Sequence, residues 1–367
     1  MNELEALVIL ASIPHLGSIK IRLLLHYFGS AIEALAASVE EIARLPGFGP
    51  KISSQWIKCR QNTSWKENLN LAEHMGVDII PFTSPRYPKH LLEISDHPVL
   101  LYMKGTLEKK DQRSIAIVGT RQASIYGLEM AEKFGYELTR CGFTVVSGLA
   151  RGVDTAAHKG ALQGGRTLAV IGSGLADIYP QENERLAQEI AQKGALISEF
   201  PMATPPDRQN FPQRNRIVSG MTMGTLLIEA PRKSGAMITM EKGLAQNRKL
   251  FALPGRADSE YFKGNHYLIK NGHAQLVECA GDIAGSFDDL LSRCIPNAPI
   301  PNNQILLEKE EQDLLNKMPT EEVSIEEIVQ LTKLPIQDLN VLLLSLELKQ
   351  VIKKKHGPIF LKIAGRR

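Results

Sequence analysis

Between Ser114 and Gly255, short apolar runs that stop at glycine alternate with helical stretches, and few architectures accept that rhythm. Ile115-Ala116-Ile117-Val118 ends in Gly119-Thr120-Arg121, and Val145-Val146 ends in Ser147-Gly148-Leu149-Ala150-Arg151-Gly152. Leu168-Ala169-Val170-Ile171 ends in Gly172-Ser173-Gly174. Continuous β-branched runs bounded in this way belong to parallel α/β sheets, whose strands are buried on both faces. Ala195–Ser198, Thr225–Ile228 and Leu250–Leu253 continue the strand series. Leu128–Arg140, Thr155–Leu162, Glu184–Gln192, Arg216–Ser219 and Met237–Ala245 supply the intervening helices. The expectation is an open, extended Rossmann-like sheet of at least six strands.

At 367 residues the chain has room for two or three domains. Residues 1–80 read as small and helical, with a Leu45-Pro46-Gly47-Phe48-Gly49-Pro50-Lys51 turn of helix-hairpin-helix or SAM-like character. Residues 81–109 read as an irregular connector and 110–290 as the Rossmann-like domain. Residues 291–304 are a Pro- and Asn-rich linker, and 305–367 form a winged-helix-like module. In that module Ser324 and Glu327 make a capping box, and the hairpin carries Lys353, Lys354 and Lys355. A net charge of only +3 confines any nucleic-acid surface to a local patch. Cys59, Cys141, Cys279 and Cys294 are widely spaced with no CxxC pair, which argues against zinc and against a disulfide framework. With no signal-peptide pattern and no apolar run of membrane-spanning length, the expectation is a cytoplasmic chain without a membrane partner.

Glycine at a parallel strand end lets the backbone approach an anion, and two such ends here also carry Arg121 and Arg151. Two guanidinium groups on adjacent strand ends repel unless an anion or a carboxylate lies between them. Asn210-Phe211-Pro212-Gln213-Arg214-Asn215-Arg216 adds an aromatic interleaved with arginines in a loop before a helix. Arg214 and Arg216 suit phosphate, Asn215 a base edge or a brace, and Phe211 a stacked base. The plainer alternative buries Phe211 and pairs the arginines with Glu199 and Glu229. No GxxxxGK[ST] and no complete GxGxxG is present. Asp154 and His158 stand one helical turn apart without an evident nucleophile. Glu229 followed by Ser234-Gly235 keeps an enzymatic reading open, that of a nucleotide-metabolising phosphoribohydrolase-like enzyme. The Pro-Gly-Gly stretch of that type is missing. A small-nucleotide sensor signalling through the C-terminal module is a third reading.

Taken in order, Val118–Arg121, Ser147–His158, Phe211–Arg216, Glu229-Ala230 with Ser234-Gly235, and Ala252–Gly255 closely resemble the DNA-processing protein A (DprA/Smf) family. The resemblance implies a homodimer that binds single-stranded DNA and loads the RecA recombinase during natural transformation. It also implies no enzymatic activity and so no catalytic residues; the missing nucleotide fingerprints and the cysteine spacing give the further expectation of no cofactor and no metal. It implies a DNA pocket of Gly119, Thr120, Arg121, Ser147, Gly148, Arg151, Phe211, Arg214, Asn215, Arg216, Ser234 and Gly235, and self-association through Leu268, Ile269 and Leu276. Two departures stand out. Gln181-Glu182 follows Tyr179-Pro180 where the family often has a basic residue, and Gly264-Asn265-His266-Tyr267 replaces its Gly-x-Asn.

Overall fold

A computed structural model describes residues 1–59, 63–287, 307–319, 323–349, 351–354 and 358–362. The chain divides into two compact units, Met1–Pro296 and Asn297–Arg367. The expected linker between 291 and 304, with Cys294, lies outside the described residues, as do Lys355 and the His356-Gly357 turn.

The first unit begins with six helices: α1 (Glu3–Ser12), α2 (Ser18–Phe28), α3 (Ala31–Ala36), α4 (Val39–Ala43), α5 (Pro50–Cys59) and α6 (Ser64–His74). The Pro-Gly turn between α4 and α5 occurs twice. Phe48 N–H donates to Leu45 O at 3.1 Å with Gly47 at φ +84°, and Leu16 N–H donates to Ile13 O at 3.1 Å with His15 at φ 68°. Both turns bury their apolar residue in one core with Trp56, Leu10 and Leu24.

The sheet follows. Its strands are β1 (Asp78–Pro81), β2 (Leu100–Gly105), β3 (Ser114–Val118), β4 (Thr144–Ser147), β5 (Thr167–Val170), β6 (Ala195–Ser198), β7 (Gly224–Leu227), β8 (Lys249–Ala252) and β9 (Gln275–Leu276). Among the described residues they lie in the order β1-β2-β6-β5-β4-β3-β7-β8-β9. Pairing is parallel from β6 through to β9, and β2 joins β6 antiparallel. The stretch read as an irregular connector therefore carries sheet structure: Leu100, Leu101, Tyr102 and Met103 are buried on both faces of β2, a pattern that a short α7 (Lys89–Leu92) and several turns precede.

The crossover helices are α8 (Ile125–Arg140), α9 (Val153–Gly164), α10 (Glu184–Lys193), α11 (Asn210–Gly220) and α12 (Gly235–Ala245). The unit closes with α13 (Lys263–Lys270) and α14 (Ala280–Gly285). Side chains alternate across a strand, so β3 feeds two cores. Ile115 and Ile117 pack with Phe134 and Leu138 of α8, whereas Ala116 and Val118 pack with Ile217 of α11 and Met240 of α12. Helices on both faces explain why the strands carry no polar side. Cys141 is disulfide-bonded, against the expectation that the wide spacing of the cysteines excludes a disulfide framework. Separation along the chain does not limit which thiols a fold brings together.

The second unit holds α15 (Lys309–Lys317), β10 (Val323–Ser324), α16 (Ile325–Thr332), α17 (Ile336–Leu348), β11 (Ile352–Lys354) and β12 (Ile359–Lys362), with strands in the order β10-β12-β11. Ser324 and Glu327 form the expected capping box at the start of α16. Ile336, Val341 and Leu344 leave an apolar stripe exposed on α17.

Candidate nucleic-acid interface

The carboxyl ends of adjacent β3 and β4 lie side by side because Ala116 pairs with Val146. The helices that follow pack through glycines: a Cβ on Gly160 of α9 would stand 1.9 Å from the Glu132 carbonyl oxygen of α8. This contact locks the two arginine loops together. Gly152, at φ +76°, admits the Thr120 carbonyl where a Cβ would lie 2.5 Å away, and Val153 N–H donates to that same oxygen at 3.3 Å. Arg121 and Arg151 both emerge exposed on this crest, with Gly119 and Thr120 half-buried beneath them.

Phe211 is the aromatic centre. Its ring lies against Gly172 at the end of β5, where a Cβ would come within 2.8 Å. The Arg121 guanidinium sits 5.0 Å from its centroid and the Tyr179 ring 5.7 Å away. A half-buried ring beside a cation and an exposed tyrosine has the chemistry to stack a base and hold a neighbouring phosphate.

The segment around Phe211 is helix, not loop, from Asn210 onward. Pro212 falls in the first turn, where its missing N–H breaks no helical bond. Winding turns neighbouring side chains in different directions, and the expected phosphate ligands part company. Arg214 is 4% exposed, donating to Gly148 O at 2.6 Å and also to Val170 O. The absence of a side chain at Gly148 makes room for this guanidinium, which would stand 2.6 Å from a Cβ there. Arg216 pairs with Glu199 at 2.6 Å and Asp96 at 3.4 Å, as the plainer alternative had it for Glu199. Asn215 braces α12 by donating to Gly235 O at 3.2 Å. Ser234 caps that helix, accepting from Met237 N–H at 3.4 Å, and Gly235 is exposed.

Beneath the crest the polar groups satisfy one another. Asp154 accepts N–H bonds from Gly148 at 3.1 Å and Ala150 at 3.3 Å, so these two amides of the Gly-rich loop are already taken. Ser147 is fully buried and donates to Ile117 O at 2.7 Å. Burial raises the Asp154 carboxyl above its ordinary range, with Arg214 pulling it back. Burial likewise lowers Arg214 to about 10, opposed by Asp154. His158 turns from Asp154 to Thr167 Oγ1, 2.7 Å away, and burial pushes it down to about 3. Glu229 is fully buried, its carboxylate accepting from Ser124 N–H at 3.1 Å and Ser124 O–H at 2.7 Å. The group an enzymatic reading needs thus anchors the β3–α8 loop. On the open side, Arg151 forms a two-pronged pair with Glu182 at 3.0 and 2.9 Å.

The proposed self-association residues are also divided by the fold. Leu268 is 3% exposed and belongs to the core, which removes it from a surface patch. Ile269 packs partly against that core, and Leu276 stands 45% exposed on the edge strand β9. Tyr179 is the site residue to which the sequence reading gave no role; an aromatic in a strand-end loop is the signal that points to it.

Comparison with known proteins agrees over most of the chain. Residues 78–288 match the family described as DNA recombination-mediator protein A, and residues 298–357 match the DprA winged helix domain. Protein Smf of Synechocystis sp. is 31% identical over 380 residues, spanning 95% of this chain and 96% of that protein. DNA processing protein A from Streptococcus pneumoniae superposes with a TM-score of 0.68 at 32% identity, over 78% of this chain and 98% of that one. DNA processing protein A from Helicobacter pylori, whose structure is described for a single-stranded DNA binding mode, gives 0.52 at 29% identity, over 58% and 96%.

Proposed function

The chain belongs to the DNA recombination-mediator protein A family, and from that premise we propose that it binds single-stranded DNA along the strand-end crest. The reading extends to a cytoplasmic homodimer that protects incoming strands and loads the RecA recombinase during natural transformation. One observation carries it: Phe211 is held half-open between Arg121 at 5.0 Å and Tyr179 at 5.7 Å. A base can stack there while Arg121 takes the adjoining phosphate, which is the chemistry that sequence-tolerant single-strand binding needs. The Helicobacter pylori relative, described for single-stranded DNA binding, supports the choice of ligand. Direct contacts are assigned to Gly119, Thr120, Arg121, Arg151, Phe211, Asn215 and Gly235, with Ser147, Gly148, Arg214, Arg216 and Ser234 holding them in place. Self-association is assigned to Ile269 and Leu276.

Binding of oligo-dT and of a duplex of equal length, each at two salt concentrations, tests this. Single strands should bind more tightly at both. Equal affinity for the duplex, or loss of all binding at the higher salt, overturns the stacking assignment.

A further inference from the structure

The arginine-over-aromatic arrangement occurs a second time on the crest. Arg232, in the loop after β7, places its guanidinium 4.0 Å from the Tyr267 ring centroid. The fold fixes this meeting. Gly264 at the start of α13 donates to Ala230 O at 2.9 Å, an approach that a Cβ, 2.6 Å from that oxygen, would block. Asn265 donates to Leu227 O, Ile228 O and Leu253 O at 2.9–3.1 Å, fastening α13 to the ends of β7 and β8. Tyr267 follows one turn after Gly264 and lies on the sheet core.

Arg232 and Lys233 are both exposed, and among the described residues no ion pair involves either of them. Arg151 differs, being matched by Glu182. A guanidinium backed by a ring keeps its plane fixed and its outer face open, and such planes stack bases while their N–H edges take phosphate. Because β7 is the neighbour of β3, with Val118 paired to Leu227, this platform stands one strand along from Arg121.

We propose that Arg232 on Tyr267 is a second base-stacking position, with Lys233 as its phosphate contact, so that one single strand of nucleic acid is gripped at two points along the crest. This rests on the reading of Phe211 as a strand-binding position. The test uses the full chain, with oligo-dT of about 6 and about 20 nucleotides bracketing common single-strand site sizes. Arg232→Gln and Tyr267→Leu should each weaken binding of the long oligonucleotide roughly tenfold, the lower range of one stacked base, and leave the short one unchanged. Tyr267→Phe, which keeps the ring, should bind both as the parent does. Equal loss at both lengths, no loss at either, or a change in sedimenting mass overturns the proposal. Failure of the underlying reading shows separately, as a Phe211→Ala chain that binds the short oligonucleotide normally.

Discussion

Arg121 and Phe211 touch, so their contributions to binding should be unequal in kind and coupled in size. Phe211→Ala removes a stacking face, which costs about 1–3 kcal/mol of affinity per base and little of its salt dependence. Arg121→Ala removes one phosphate contact, so the log–log slope of affinity against salt should become shallower by about 0.7. The guanidinium over the ring at 5.0 Å adds a third quantity. Once Phe211 is gone, Arg121 loses the surface that orients it, worth about 0.5–1 kcal/mol at an exposed site. The double variant should therefore lose less than the sum of the singles by about that amount. Fluorescence anisotropy with labelled oligo-dT at 50 and 200 mM salt, approximate conditions chosen to span the steep range, reads all three. Strict additivity, or a Phe211→Ala defect that vanishes at the higher salt, would refute the geometry argued for this pocket.

Glu182→Gln should release Arg151 for phosphate, raising single-strand affinity at low salt and steepening the salt slope by about 0.7; an unchanged slope assigns Arg151 no contact. His158, held at about 3 by burial beside Arg214, stays neutral in the fold while the unfolded chain protonates near the ordinary value of 6.5. Its contribution is complete above that value and is lost as pH falls towards 3, on the order of 5 kcal/mol in all, so His158→Gln should flatten the acid side of a stability–pH profile followed by denaturant melts. Leu276→Glu should convert a dimer to a folded monomer in sedimentation. Leu268→Ala, in the core, should instead cost about 2–5 kcal/mol of stability without changing the mass.

The strand series was legible because a strand buried on both faces leaves a continuous apolar run, as Ile115–Val118 shows. The loops at Arg121 and Arg151 were legible for the same reason, since each follows directly on such a run. Around Phe211 the sequence misled. Arginine composition there is identical whether the side chain reaches outward or inward, and only the helical phase from Asn210 decides that Arg214 points at Gly148. The second arginine–aromatic pair was invisible because Arg232 and Tyr267 are far apart in the chain and meet through the close approach at Gly264. The repeat of the Leu45–Gly49 turn at Ile13–Gly17 was hidden by His15, which takes the positive φ that glycine takes at position 47.

Arg214 bridges the ends of β4 and β5 from below, a buried cation under the surface proposed to hold phosphates. A genetic screen for strands that fail to bind would single it out as strongly as any surface arginine, because without it the carbonyls of Gly148 and Val170 lose their donor and the crest its shape. On the proposed reading the same screen would report a salt dependence left intact, since a buried Arg214 displaces no counterion. Loss of binding with an unaltered salt response would thus separate Arg214 from the surface arginines, whose removal also makes the salt slope shallower.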